Sequence, residues 1–189
     1  MEADWAVEIG PETPFIVVPW DGFIDLRQNT WTTVQKISEA ASYPSLSYAL
    51  IELNSRESPV FTSKCDVWPL EAAKIDQDEF GARPENAQSG FASYIDVVVC
   101  NPDQFGSFDR HELLMRRATD NLRTISLDSC RIDLVLRPAT VHSVHGFGIT
   151  IYAAGCGRDD VAAYASWEAV LRAAVNATMK MAHFSHKGE

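Results

Sequence analysis

The order of apolar and polar positions is clearest between residues 147 and 181, where two different periods follow one another. In 147–153, Ile149, Ile151 and Ala153 alternate with neighbours of mixed polarity, which is the period of a half-buried strand. From Asp160 onward the apolar residues recur three and four positions apart, as on one face of a helix. This stripe comprises Ala163, Tyr164, Trp167, Val170, Leu171, Ala174, Val175, Thr178 and Met181. The pattern predicts a strand that leads into an amphipathic helix, packed on the sheet that contains the strand.

Five further segments have the alternation, or the β-branched and aromatic content, that is typical of strands. They are 15–19, 23–27, 60–68, 91–99 and 131–141. Pro19 and Gly22 separate the first two, and proline at such a position indicates a sheet edge. Pro69 is predicted to end the third strand. Residues 142–146 are few enough to form a hairpin turn into the strand that begins at Phe147.

Three other helices are predicted upstream of the last one. The first is short and covers 29–41, and the second covers 44–53, with Pro44 suited to its first turn. The third is predicted to start with Asp109 as N-cap, because Glu112 then occupies the capping-box position.

The elements follow the order ββ-αα-β-β-α-β-β-α, which lacks the regular alternation of strand and helix found in parallel α/β proteins. The chain is therefore predicted to be an α+β protein with a largely antiparallel sheet and helices packed on one face. Its 189 residues suit one core, so a single domain over 1–189 is expected. A long irregular acidic loop at 69–90 and a flexible tail at 183–189 are predicted to lie outside the regular elements.

In acidity and in the order of its later elements, α-β-β-α-β-β-α, the chain resembles the small acidic chaperones of bacterial secretion systems. Residues 1–40 lie outside this resemblance. The resemblance is one of architecture, and architecture alone does not assign a function.

The chain is acidic, with a formal net charge of −10 and a pI near 4.9. Nucleic-acid binding through the whole surface requires clustered Lys and Arg to neutralise phosphates, so this charge argues against it. The charge also argues against an anionic membrane surface. It is compatible with a basic protein partner, although solubility through self-repulsion is the simpler interpretation.

The N-terminal residues have neither the positive charge nor the apolar run of an export signal. No apolar run reaches the ~18 residues of a membrane-spanning helix. The four cysteines are widely spaced, form no C-x-x-C pair, and are expected to be free thiols of a reducing compartment. They are Cys65, Cys100, Cys130 and Cys156. The sequence therefore predicts a cytoplasmic protein.

Cys156 is the candidate for thiol chemistry, since it lies between Gly155 and Gly157 just before the predicted last helix. Unpaired backbone N–H groups and the helix dipole at such a position would favour a thiolate. The alternative is a small apolar residue that fills space beside a buried strand end. The two glycines do not complete a dinucleotide-binding loop, because the third glycine is absent.

Aspartate recurs inside the predicted strands, where it is normally depleted. Asp66, Asp96 and Asp133 are each out of phase with their apolar neighbours, so they are expected on a solvated sheet face. They could form an acidic patch there that holds a cation, or they could make cross-strand ion pairs. The basic residues available for such pairs are Lys64, Arg131 and Arg137.

Three histidines are candidate ligands of a divalent metal ion, in the manner of zinc sites. They are His111, His142 and His145, with Glu112 or Asp109 nearby. The predicted order of strands brings them to one end of the sheet, together with the histidines of the tail, and leaves the Cys156 thiol at the other end. Solvated turn and tail histidines are the alternative.

Two classes of function fit these observations. The first is a binding module for a protein or a small ligand, or a subunit of a homodimer. The second is an enzyme that uses the thiol of Cys156 or a histidine-based metal site. Apart from that divalent metal, no cofactor is predicted. Metal analysis of the purified protein together with a thiol-labelling rate would discriminate between the classes. The most informative single observation would be a structure that shows whether a pocket exists and which polar groups converge on it.

Overall fold

The computed structural model describes residues 1–180, which form an α+β fold, as predicted. The strands are β1 (Glu2–Val7), β2 (Ile16–Val18), β3 (Val60–Glu71), β4 (Ser89–Val99), β5 (Cys130–Val141) and β6 (Val144–Gly157). The helices are α1 (Thr30–Thr33), α2 (Ser38–Ser42), α3 (Pro44–Leu53), α4 (Gln77–Phe80), α5 (Pro102–Phe105), α6 (Phe108–Arg123) and α7 (Asp160–Lys180). The predicted tail at 183–189, with His183 and His186, lies outside the described residues.

One sheet with the order β1-β5-β6-β4-β3 organises the chain. The strands β3, β4, β6 and β5 pair in antiparallel fashion, which confirms the largely antiparallel prediction. The exceptions are β1 and β2, which pair in parallel with successive halves of β5. The hairpin between β5 and β6 turns through His142 and Ser143, whose φ angles of 46° and 71° suit a two-residue turn. The strand β6 therefore begins three residues earlier than predicted.

The N-terminal strands differ from the prediction. The strand predicted at 15–19 is β2, whereas the one predicted at 23–27 is wrong and β1 was missed. Residues 23–27 turn instead, because the Asp25 carboxylate accepts hydrogen bonds from both the backbone and the guanidinium of Arg27. The helix predicted at 29–41 is also interrupted, since Ile37 adopts an extended conformation between a 3₁₀ turn and α2.

The stretch 69–90, which was predicted to be irregular, is partly regular. Pro69 does not end β3, because β3 lies at the sheet edge, where a proline can be accommodated, and Pro69 pairs with Phe91. The chain then forms two 3₁₀ turns, Ala72–Lys74 and Pro84–Asn86, with α4 between them.

The helices α3, α6 and α7 form a layer on one face of the sheet, with α7 between the other two. Gly155 and Gly157 allow α7 to approach β6 closely. A Cβ atom at Gly155 would lie 2.3 Å from the backbone N of Trp167, and one at Gly157 would lie 2.4 Å from that of Ala163. The glycines on either side of Cys156 are thus explained by helix–sheet packing.

Helix α6 begins two residues earlier than predicted. The side chain of Ser107, not that of Asp109, caps it by accepting a hydrogen bond from the Arg110 N–H. Within residues 1–180, no helix combines the length and the apolar character that crossing a membrane would require.

Candidate functional site

The two faces of the sheet differ in composition. The helix face, which α3, α6 and α7 cover, is built from buried apolar residues such as Ile95, Leu134 and Ile151. We call the other side the open face. Because directly paired residues share a face, the register defines its central row across β3, β4, β6 and β5. That row is Asp66, Tyr94, Tyr152 and Asp133.

Three aromatic rings form an aromatic row on the open face. The ring centroids of Trp68 and Tyr94 are 6.4 Å apart, and those of Tyr94 and Tyr152 are 6.2 Å apart. All three side chains are half-buried, so each ring keeps surface that solvent or a ligand can reach. Such rings provide a platform for stacking or for contact with a cation.

A polar network lies beside the aromatic row. Arg137 donates to the Glu8 carboxylate at 2.7 Å, to the Tyr152 hydroxyl at 3.2 Å and to the Thr150 hydroxyl at 3.2 Å. Thr150 in turn donates to Oδ1 of Asp96 at 2.6 Å. Arg137 and Asp96 are each only 8% exposed, so this network holds two oppositely charged groups bridged by a hydroxyl.

Burial raises the pKa of Asp96, and the hydrogen bond from Thr150 and the charges of Arg137 and Lys64 counter this only in part. Burial, followed by the nearby Asp96 and Asp66 carboxylates, raises the pKa of Tyr94 to about 12. Burial is the largest cause of both shifts, and the two neighbouring carboxylates add to it at Tyr94.

The three predicted aspartates lie on the open face, although their surroundings differ. Asp133 pairs with Arg131 at 2.6 Å, and Arg131 also reaches Glu79 at 3.1 Å. Asp66 is exposed and accepts a hydrogen bond from the N–H of its own neighbour Val67. Asp96 is buried, so the expectation of a wholly solvated face is wrong at this position.

A pocket of about 480 Å³ opens where residues 20–39 cross the edge strand β3. A bulge in β3 between Thr62 and Cys65 shifts the register there. The pocket is lined by Trp20, Gly22, Ile24, Leu26, Lys36, Ile37, Ser38, Glu39, Leu50, Thr62, Ser63, Lys64, Cys65 and Tyr94. Tyr94 thus belongs to both the pocket and the aromatic row, which makes the two parts one continuous site.

Two interactions fix the wall of this pocket. The Trp20 indole N–H donates to the Ser63 carbonyl at 3.2 Å, and the Lys64 ammonium lies 5.0 Å from the centroid of the Trp20 ring. The thiol of Cys65 also lines the pocket. Burial, followed by the charges of Glu39, Asp66 and Asp96, raises its pKa to about 12, so Cys65 is a neutral thiol.

Both ends of the open face are covered by other parts of the chain. At one end Ile75, Phe80 and Ala87 of the segment after β3 form a small apolar cluster with Cys156. At the other end the Ile16 side chain lies over Gly148. The aromatic row and the polar network lie between these two covered ends.

Cys156 is part of this apolar cluster, and the prediction of a thiolate at a helix N-terminus is not supported by its surroundings. Its side chain is fully buried, and burial raises the pKa of the thiol. The neighbouring glycines face α7, whereas the Cys156 side chain points to the opposite face of the sheet, because side chains alternate along a strand. The alternative interpretation, a small apolar filler, fits this environment.

The candidate metal ligands are not brought together. His111 lies at the expected end of the sheet, with its ring 5.9 Å from that of Phe147, but it is fully buried and its Nδ1 lies 2.9 Å from the Ser107 carbonyl. His142 is exposed in the turn, and the exposed His145 contacts the Thr140 hydroxyl at 3.1 Å. Among residues 1–180, no three His, Cys, Asp or Glu side chains converge so as to hold a metal ion.

The sequence interpretation missed most residues of the site. The aromatic row, Thr150 and Trp20 were not singled out, and Arg137 was considered only as an ion-pair partner. One signal was present: Thr150 and Tyr152 alternate with Ile149 and Ile151, so a polar face was visible in β6. The contribution of Trp20 and Glu8 could not be seen, because they reach the site through tertiary contacts.

The chain was also compared with known proteins. No protein-family model, no curated protein and no solved structure matches it.

Proposed function

We propose that the protein is a binding module for a small organic ligand, which lies on the aromatic row at Tyr94 and extends into the adjoining pocket. The observation that carries the proposal is the shared position of Tyr94. A pocket of about 480 Å³ and an uncovered aromatic row meet at this one side chain. Small-molecule sites typically have volumes of about 300–1,000 Å³, with aromatic walls and a few placed polar groups.

The polar network adds support, since it is a costly arrangement for a structural sheet face. Taking the charges of Arg137 and Asp96 out of water carries a desolvation penalty, and apolar residues would fill the same space at lower cost. The helix face of the same strands is built mainly from apolar residues and holds no buried charge among the described residues of its strands. Retained buried polar groups next to a pocket are typical of sites whose chemistry is selected for function.

The enzyme alternative has less support. The thiols of Cys156 and Cys65 both have raised pKa values, and the described histidines do not form a cluster. A cytoplasmic location is part of the proposal, and the four free cysteines are compatible with it.

The test is a fragment screen followed by two-dimensional ¹H–¹⁵N NMR. Fragments with an aromatic or compact apolar body should shift the amide signals of Tyr94 and Tyr152 and the indole N–H signal of Trp20. Tyr94→Ala should abolish these shifts, because it removes the side chain that the two parts of the site share.

Tyr48→Ala is the matched control, since Tyr48 is a tyrosine of the helical layer that is 63% exposed and lines a separate groove. This variant should leave fragment binding unchanged. Fragments that shift only the groove around Tyr48, or binding that survives Tyr94→Ala, would overturn the proposal.

A further inference from the structure

We infer that the ligand is a small organic ammonium ion, whose positive charge lies at Tyr94 between the carboxylates of Asp66 and Asp96. This inference rests on the proposed function and adds the chemical class of the ligand. The proposed ligand is a small molecule, and the test below also shows whether a basic protein binds there instead.

The charges around Tyr94 are unevenly paired. Arg137 pairs with Glu8, and Arg131 pairs with Asp133. Most of the basic groups on the open face are thereby occupied.

Asp66 and Asp96 have no ion-pair partner within the part of the chain that the structure describes. Oδ1 of Asp96 accepts the Thr150 hydroxyl, whereas its Oδ2 accepts no hydrogen bond from the described residues. Asp96 is only 8% exposed beside Tyr94, so a cation at its Oδ2 would add to the partial compensation by Arg137 and Lys64.

The aromatic rings indicate what kind of cation fits. The Arg137 guanidinium lies 5.6 Å from the centroid of the Tyr152 ring, and the Lys64 ammonium lies 5.0 Å from that of the Trp20 ring. Among the described residues, no such cation lies over Tyr94, which neighbours Tyr152 in the aromatic row and lines the pocket with Trp20. An organic ammonium carries its charge on methyl or methylene groups, which suit an aromatic surface better than a hydrated metal ion does.

The electrostatic surroundings agree with this assignment. The pKa values of both Tyr94 and Cys65 are raised first by burial and then by Asp66 and Asp96 among other acidic groups. The opposing charges at Asp96 are Arg137 and Lys64. Arg137 is paired with Glu8, and Lys64 lies over the pocket wall at Trp20. The apolar part of the ligand would then occupy the pocket.

The test compares three probes that share a compact trimethyl head group, by isothermal titration and by NMR shifts of Tyr94. They are choline, its neutral carbon isostere 3,3-dimethylbutan-1-ol, and the anion 3,3-dimethylbutyrate. Choline should bind about tenfold more tightly than the neutral isostere, as expected for a cation over an aromatic ring beside a carboxylate. The anion should bind most weakly.

Asp66→Asn and Asp96→Asn should each weaken choline binding about three- to tenfold and leave the neutral isostere unchanged. Asp133→Asn is the control, because Asp133 is already paired with Arg131. The comparison of probes on the unaltered protein does not depend on whether a variant folds.

Equal affinity for choline and its isostere, or preference for the anion, would overturn the assignment while leaving the fragment-binding result intact. If choline does not bind but a tetralysine peptide shifts the Tyr94 signals, the small-ligand assignment is overturned in favour of a basic protein. Failure of the fragment screen itself would remove the proposed function as well.

Discussion

The two faces of the sheet are made by the same strands and yet differ in composition and in what covers them. In β6, Ile149 and Ile151 enter the helix face, while Thr150 and Tyr152 enter the open face. The helix face is closed by α7, whose Trp167 is fully buried. The open face is covered only at its ends, and its centre holds rings and buried charges.

Under the proposed function, the helix face supplies stability and the open face supplies ligand binding. Apolar area on the helix face supplies most of the hydrophobic free energy of folding, in proportion to the surface removed from water. The network on the open face contributes less, because the desolvation of Arg137 and Asp96 opposes the energy of their hydrogen bonds. Substitutions that match in chemistry but differ in face should therefore differ in cost.

The largest expected effect is that of Trp167→Ala. Trp167 contacts Tyr43, Phe91 and Tyr164 through its ring, and its Nε1–H donates to the Ser93 hydroxyl at 2.9 Å. Removal of this side chain should lower the free energy of unfolding by about 3–5 kcal/mol, measured by urea denaturation.

Trp68→Ala is the matched substitution on the open face. Trp68 is half-buried, so its loss should cost about 1 kcal/mol. Equal costs for the two variants would contradict the division of roles between the faces.

An effect smaller than that of Trp167→Ala is expected for Thr150→Val, which keeps the shape of a fully buried side chain and removes its hydroxyl. Asp96 loses its hydrogen-bond donor and Arg137 loses an acceptor, so the variant should be less stable by about 1–3 kcal/mol.

Thr119→Val in α6 is the control for this change. The Thr119 hydroxyl is also buried but has no hydrogen-bond partner among the described residues. Its replacement should be neutral or slightly stabilising in the same urea experiment. A comparable loss in both variants would mean that the bridge between Asp96 and Arg137 contributes nothing.

The sequence was most informative where a pattern is long and periodic. The helix α7 and the pairing partners β4, β5 and β6 were predicted because their apolar faces repeat over many residues. The short strand β1 was missed, since only Ala3 of its six residues is buried and its place is set by pairing with β5.

The site was predictable only in part, for a related reason. Alternation alone gave the shared face of Asp66, Asp96 and Asp133. The burial of Asp96 depends on tertiary contacts, and the partner of Arg137 is Glu8, 129 positions away along the chain. Two glycines that flank a cysteine can favour a reactive thiol or allow a helix to approach closely, and the sequence is the same in both cases. The role of Cys156 therefore could not be assigned without the fold.

The smallest expected effect is a pH dependence that separates Asp96→Asn from the unaltered protein. In the folded protein burial raises the pKa of Asp96, whereas in the unfolded chain the carboxyl has its ordinary pKa of about 3.9. The folded state then binds the proton more tightly, so the contribution of Asp96 to stability is largest below pH 3.9 and declines as the pH rises through the folded-state pKa. The test is urea denaturation of both proteins from pH 3.5 to 7. As the pH rises, the unaltered protein should lose stability relative to Asp96→Asn. The loss should be about 1.4 kcal/mol for each tenfold difference in the proton affinity of Asp96 between the folded and unfolded states. Tyr94, Asp66, Lys64 and Arg137 surround the carboxyl and are common to both proteins, so the difference reports on Asp96 alone. If the relative stability instead rises with pH, Arg137 and Thr150 compensate the Asp96 carboxylate fully. The open face would then hold no uncompensated charge, and this difference from the helix face would disappear.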